Sequence, residues 1–127
     1  MNSDLAFVIE NNSDLAELFA ETARMEGFRT EIIQDDQAAM ERLPREQPHL
    51  VLLDLHLANN GSGAEILRYI RSDAALAATI VFVITGDSAS ADDQREQGRA
   101  DLVIVKPIRL ADLRILIRRT AGQAKNQ

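Results

Sequence analysis

Five short apolar runs recur at near-even spacing along the chain: Leu5 to Ile9, Thr30 to Ile33, Leu50 to Leu53, Ile80 to Ile84 and Leu102 to Val105. Each is of strand length, too short for a buried helix, and most are rich in the branched and aromatic residues that strands favour. Thr30 to Ile33 is the weakest and Leu50 to Leu53 the most apolar. Between them lie polar turns and segments whose apolar residues recur at helical spacing. Strands that are apolar on both faces belong in a sheet covered on both sides. Their alternation with helices predicts right-handed crossovers and a parallel α/β sheet, doubly wound, with five strands and five helices.

The helical segments carry their own boundaries. Asn12 or Ser13 can cap a helix through Leu15, Leu18, Phe19 and Thr22, which Gly27 stops. Asp35-Asp36 precede a short helix with Ala39, Met40 and Leu43, expected to end before Pro44. Ser62 and Glu65 form a capping box opening a helix through Ile66, Leu67 and Ile70. Ser90-Ala91-Asp92-Asp93 suggest the cap of a fourth helix reaching about Gln97, with almost no apolar stripe, so it is expected to be marginal and mobile. Leu110, Leu113, Leu116 and Ile117 mark the last helix. Residues 1–120 are read as one domain and 121–127 as a polar tail.

Composition removes several function classes. The chain has 127 residues, 46% of them hydrophobic, enough for one core. Without cysteine there is neither a disulfide framework nor a thiolate metal site. A net charge of −6 with acids spread along the chain argues against direct nucleic-acid binding. No stretch reads as a secretion signal and no apolar run approaches the roughly 20 residues of a membrane span, so a soluble, cytoplasmic protein without membrane contact is expected.

Four of the runs end on reactive side chains: Glu10, Asp54, Thr85 and Lys106. In an open parallel sheet those ends share one edge, where such folds place their ligand site. A carboxylate at a buried strand tip needs compensation. Lys106 is the natural compensator: at about 4 Å and an effective dielectric near 20 the pair is worth on the order of 4 kcal/mol of Coulomb energy. The plainer reading is a strand-end lysine snorkelling to solvent. Glu10 and Asp54, with an amide oxygen from Asn11 or Asn12, make an oxygen-only set that suits Mg²⁺. Alternatively, Glu10 merely sits near a helix N-terminus, where the macrodipole favours it. Thr85 offers a hydroxyl donor, and Gly86 leaves room for a ligand.

Taken in order, these residues resemble the receiver domains of two-component response regulators over essentially the whole chain. The landmarks are Glu10-Asn11 after strand one, Asp54 in Val-Leu-Leu-Asp-Leu, Ser62-Gly63 with Glu65, Thr85-Gly86, and Lys106-Pro107. The resemblance implies a flavodoxin-like sheet of order 2-1-3-4-5. It also implies that Asp54 takes a phosphoryl group from a histidine kinase or phosphotransfer protein, with Thr85 and Lys106 binding phosphoryl oxygens. Mg²⁺ would be held by Glu10, Asn11, Asp54 and the His56 backbone carbonyl, and the peptide before Pro107 is commonly cis in such domains. Phosphoryl transfer needs in-line positioning and charge neutralisation more than covalent help, and an ionised aspartate needs no general base.

The departures carry expectations of their own. Asn11 stands where the family usually has aspartate, so Mg²⁺ binding is expected to be weaker and phosphorylation slower. Val103 replaces the usual aromatic three residues before the lysine, which removes signalling by that rotamer. Ala58 replaces a usual proline, and Asp54 to Gly63 is one residue longer than usual. The His56 ring is a less favoured metal ligand than its carbonyl, and His49 is read as a surface residue. Gly61 and Gly63 lack a following Gly-Lys-Ser/Thr, so a nucleotide loop fails and turn geometry accounts for them. Arg109, Arg114, Arg118 and Arg119, placed opposite Asp92, Asp93 and Glu96, suggest a homodimer through the face of helices four and five, or simply a solvated surface.

The leading reading is a phosphoacceptor switch, not an enzyme in its own right, that promotes its own phosphoryl uptake and loss. The alternative is a degenerate receiver-like module that binds partners independently of phosphate. A flavodoxin-like binder ranks last, because Glu10-Asn11-Asn12 would repel FMN phosphate. An aspartyl phosphatase ranks with it, since a haloacid-dehalogenase-type site would want aspartate where His56 stands.

Overall fold

The computed structural model describes residues 4–122. Its elements are β1 (Leu5–Ile9), α1 (Ser13–Met25), β2 (Arg29–Ile33), α2 (Asp36–Glu46), β3 (Leu50–Leu53), α3 (Gly63–Ser72), β4 (Ile80–Thr85), α4 (Ser88–Gln97), β5 (Leu102–Val105) and α5 (Leu110–Ile117). Short 3₁₀ turns cover Ala58–Asn60 and Ala74–Leu76. All strands pair in parallel in the order β2-β1-β3-β4-β5. The doubly wound architecture expected from the apolar runs is therefore the one observed.

Side-chain alternation along the strands builds two cores. Phe7, Ile9, Val51, Leu53, Val81 and Val83 pack on one face with Leu43 of α2 and Ile66, Leu67 and Ile70 of α3. Ala6, Val8, Leu50, Leu52, Phe82 and Ile84 pack on the other with Phe19 of α1 and Leu113 and Ile117 of α5. Burial on both faces explains why the central strands carry no polar alternation.

Caps set most helix starts where the sequence places them. Asn12 Oδ1 accepts from Leu15 N at 3.0 Å, Asp35 Oδ1 from Ala38 N at 2.9 Å, and Ser62 Oγ from Glu65 N at 3.2 Å. Gly27 follows α1 at φ 95°, a left-handed turn that suits glycine.

Several expectations need correction. The cap of α4 is Asp87, not the Ser90 group: its carboxylate accepts from Ala89 N and Ser90 N at 3.0 and 3.3 Å and from Ser90 Oγ at 2.8 Å. A carboxylate at the start of the helix collects more of the first-turn donors than residues already inside it. Helix α2 runs through Pro44 to Glu46. The N–H that Pro44 lacks would have served the Met40 carbonyl, on the exposed side, where water can replace it. Leu18 and Met40, expected on buried stripes, are 46% and 37% exposed.

The last helix runs on into the segment read as a tail. Arg118–Gly122 continue it as a π-type turn, Ala121 is buried, and its carbonyl lies 3.1 Å from His49 Nε2. His49 is thus no plain surface residue; it also stacks on Phe28 at 5.9 Å between ring centroids. The remainder of the polar tail, 123–127, lies outside the described residues. Among the described residues no helix is long and apolar enough to cross a membrane.

Candidate functional site

The sheet itself brings the strand-end residues together. Glu10 N donates to Ile33 O at 3.1 Å and Asp54 N to Ile9 O at 2.9 Å, which fixes both backbones just past β1 and β3. Lys106 N donates to Thr85 O at 2.7 Å, tying the end of β5 to the end of β4. The Lys106–Pro107 peptide is cis. These bonds place the residues along the carboxyl rim.

Lys106 Nζ bridges two carboxylates, 2.8 Å from Glu10 Oε1 and 3.3 Å from Asp54 Oδ2. The other oxygens take backbone donors: Asn12 N reaches Glu10 Oε2 at 2.9 Å and His56 N reaches Asp54 Oδ1 at 3.2 Å. Glu10 is 2% exposed and Asp54 7%. Burial raises the Glu10 pKa, opposed by the Lys106 hydrogen bond and the Asn12 N–H and reinforced by the Asp54 charge. For Lys106 burial works downward, yet the Glu10 hydrogen bond and the two negative charges outweigh it and raise the pKa. The ammonium is held charged.

Thr85 is fully buried, and its Oγ1 accepts from Asp87 N at 3.2 Å. Thr85 shares the rim with Asp54 and Lys106, but among the described residues its hydroxyl makes no hydrogen bond to the side chain of either. Asn11 is exposed beside Glu10; Gln34 Nε2 donates to its backbone carbonyl at 3.1 Å. The His56 ring turns outward, its Nε2 3.7 Å from Asp87 Oδ2. That orientation takes the imidazole away from the carboxylates.

Among the described residues no three His, Cys, Asp or Glu side chains converge on a metal position. The chemistry of the donor set nonetheless fits a hard cation. Each of the four carboxylate oxygens carries one protein donor and keeps further acceptor capacity, and the Asn11 amide and His56 carbonyl are oxygen donors nearby. Lys106 already neutralises one of the two charges, and Asn11 adds none.

Sequence reasoning gives one residue of the site, Gly63, the wrong reason, since close approach and not turn geometry requires it, and misses another, Asp87. Gly63 N donates to Leu55 O at 2.9 Å, and a Cβ built on Gly63 would lie 2.1 Å from the Asp54 carbonyl oxygen. Only glycine allows α3 to start that close to the carboxyl end of β3. Its place directly after the Ser62 cap was the available clue. Asp87 joins Thr85, His56 and the start of α4. The pattern Thr-Gly-Asp-Ser-x-Ser, an acid with a hydroxyl three residues on, could have disclosed it.

The loop after Asp54 is pinned by its own backbone hydrogen bonds. Leu57 N bonds to Gly61 O at 3.1 Å, and His56 and Ser62 form an isolated antiparallel bridge. Three of the four α5 arginines singled out in the sequence have acidic partners within the chain. Arg114 and Arg118 reach Glu26 at the end of α1, at 2.5 Å and 3.0–3.1 Å, while Arg109 pairs with Asp112 at 3.2 Å.

Comparison with known proteins agrees with this architecture. Residues 6–118 match the Response regulator receiver domain family. The DNA-binding response regulator MtrA of Mycolicibacterium paratuberculosis is 32% identical over 106 residues, which cover 84% of this chain and 46% of that protein. The chain thus spans about half the length of these relatives. The polar-differentiation response regulator DivK of Brucella anthropi is 26% identical over 102 residues, covering 80% of this chain and 82% of that one. The receiver domain of sensor histidine kinase PA1611 from Pseudomonas aeruginosa, crystallised with magnesium in its active-site cleft, superimposes with a TM-score of 0.81 at 20% identity, covering 95% of this chain and 99% of that one.

Proposed function

The chain belongs to the response regulator receiver domain family, and on that premise we propose that Asp54 is its phosphoacceptor. The observation that carries the reading is the Lys106 ammonium set between Glu10 and Asp54 on the carboxyl rim of the sheet. A carboxylate oxygen of Asp54 attacks the phosphorus of a partner's phosphohistidine, the phosphorus–nitrogen bond breaks, and an acyl phosphate forms. Lys106 balances the incoming charge, and the Thr85 hydroxyl supplies a donor to a phosphoryl oxygen. Water later cleaves the acyl phosphate, so the chain acts as a reversible switch and not as an enzyme in its own right.

Glu10, Asn11, Asp54 and the His56 carbonyl are the residues that would hold Mg²⁺, which when bound neutralises negative charge around the transferred group. Its affinity is expected to be low, because Asn11 contributes no charge. The donor is a histidine kinase or phosphotransfer protein, in the cytoplasm, and the output is altered affinity for a downstream partner. DNA binding, named for MtrA, is not carried over: a net charge of −6 disfavours direct nucleic-acid contact. Self-association through the α4 and α5 faces loses support from Arg114 and Arg118, which are engaged by Glu26.

The test is intact mass after incubation with a small phosphodonor and Mg²⁺. Wild type is expected to gain one phosphoryl group and Asp54→Asn none. No gain in either would favour a constitutive binding module, the reading that Asn11 and Val103 support.

A further inference from the structure

Helix α4 carries almost no apolar stripe, and the fold shows what stands in its place. Ser90, Asp93, Gln94 and Gln97 recur at the i, i+3, i+4, i+7 spacing that puts side chains on one helix face. In an ordinary surface helix such a face is apolar and packs on the core. Here it borders a cavity of about 380 Å³, lined on its other side by His56, Ser62 and the first turn of α3.

The cavity has acceptors and lacks a cation. Gln94 is only 5% exposed, and its Oε1 is shut off from solvent with no hydrogen bond from any described residue. A buried carbonyl oxygen without a donor is costly, and folded proteins keep few of them. An apolar side chain of the same length would fill the space without that cost. The neighbouring Asp93 carboxylate is exposed and has neither a hydrogen bond nor an ion pair among the described residues. By contrast, Asp92 pairs with Arg95 at 3.3 Å, and the Asp87 carboxylate already takes donors from Ala89 and Ser90. Ser90 Oγ gives its proton to Asp87 Oδ2 and so offers the cavity only lone pairs. Among the described residues no lysine or arginine lines the cavity.

We propose that this cavity binds a guanidinium group. A guanidinium is planar and weakly hydrated, and its fork of N–H donors can serve a carboxylate and a neighbouring neutral acceptor at once. Asp93 supplies the charge, and Ser90 Oγ and Gln94 Oε1 are the neutral acceptors. The terminal torsion of a glutamine is broad, so the Gln94 amide can turn its oxygen toward the entering donor. An ammonium suits the site less well, being a compact and strongly hydrated point charge. Ser90, Asp93 and Gln94 all belong to α4, so the site stands apart from the carboxylate rim. The group comes either from a free small molecule or from an arginine side chain of a partner protein.

The experiment is heteronuclear NMR of the full chain titrated with ethylguanidinium chloride at constant ionic strength. A parallel titration uses tetramethylammonium chloride, which has the same charge and no N–H donor. Ethylguanidinium is expected to give saturable shifts confined to residues 55–65 and 88–98 and to the Gln94 side-chain amide, and tetramethylammonium none that saturate. Asp93→Asn and Gln94→Met should each weaken binding about tenfold. Asp92→Asn, one residue away and already paired with Arg95, should leave it unchanged. Because Asp93 is exposed, Asp93→Asn keeps the test decisive even where Gln94→Met disturbs α4. Free arginine and N-acetyl-arginine N-methylamide then separate the sources: tighter binding of the first points to a small molecule, and of the second to an arginine within a peptide chain.

Shifts that never saturate, or that tetramethylammonium reproduces, overturn the proposal and leave the cavity to water. So does saturable binding that Asp93→Asn and Gln94→Met leave intact, or binding centred on Glu10 and Asp54. Phosphoryl uptake from a small phosphodonor should be the same in wild type and Asp93→Asn. Its absence from wild type would count against the phosphoacceptor reading alone.

Discussion

Replacing Lys106 by methionine removes the one cation that, among the described residues, faces two nearly buried carboxylates. With an effective dielectric near 20, its attraction at 2.8 Å to Glu10 and 3.3 Å to Asp54 amounts to about 6 and 5 kcal/mol of gross Coulomb energy. Much of this is offset in the folded protein by desolvation of the three groups. What remains after the substitution is a pair of carboxylates, 2% and 7% exposed, with no cationic partner among the described residues. Leaving a buried charge uncompensated costs about 3 to 5 kcal/mol, a large share of the roughly 5 to 15 kcal/mol that holds a domain folded. Because Lys106 keeps some solvent contact, the lower end, about 3 kcal/mol, is expected. Urea unfolding followed by circular dichroism at neutral pH measures it. The decisive arm is Asp54→Asn. Alone it should change stability by less than about 1 kcal/mol, because Lys106 still pairs with Glu10. Combined with Lys106→Met it should return at least about 1 kcal/mol, because one of the stranded charges is gone. A Lys106→Met variant as stable as wild type, or a double variant no better than Lys106→Met, would refute the argument that charge compensation organises the rim.

Three further outcomes follow from the same structure. Gly63→Ala is expected to destabilise by about 2 kcal/mol or more and to slow phosphoryl uptake, since its Cβ would sit 2.1 Å from the Asp54 carbonyl; Gly86→Ala, with nothing within 4 Å of the added carbon, should be near neutral in the same unfolding assay. Glu26 has its pKa lowered, chiefly by the Arg118 hydrogen bond and, against some burial, by Arg114. A depressed folded pKa means that this contribution to stability is present above the ordinary carboxylate value near 4.5 and is lost as pH falls through the folded value, so the stability gap between wild type and Glu26→Gln should be steady at neutral pH and close in acid. A gap that widens on acidification contradicts it. Asn11→Asp should bind Mg²⁺ about tenfold more tightly in a calorimetric titration, through one added carboxylate; equal affinities would remove Asn11 from the metal site.

The strands and the rim were legible because burial on both faces leaves apolar runs with sharp polar ends, and because a buried carboxylate has few ways to survive without a cation. Glu10, Asp54 and Lys106 follow from that logic before any coordinates. Gly63 was harder: its necessity comes from how near α3 passes to the end of β3, a tertiary distance with no local signature beyond a glycine after a cap. Asp87 was displaced by the more conspicuous run Ser90 to Asp93, though helix starts depend on the residue before the first turn. Leu18 and Met40 obey helical spacing and yet stay exposed, because periodicity marks a face without telling how much of it the neighbouring helix covers. The Glu26 contacts join residues 88 and 92 positions apart, and only the packing of α1 on α5 discloses them.

Asp87 carries two attachments at once. Its N–H is held by the Thr85 hydroxyl oxygen, and its carboxylate starts a helix that is seated on the sheet by only two buried side chains. Whatever draws the Thr85 hydroxyl toward the rim therefore pulls on the peptide from which α4 hangs, and the lightly ballasted helix, not the sheet, gives way first. On the phosphoacceptor reading proposed above, that peptide is where an event at the rim is expected to be felt first, with no large ring needed to swing at position 103.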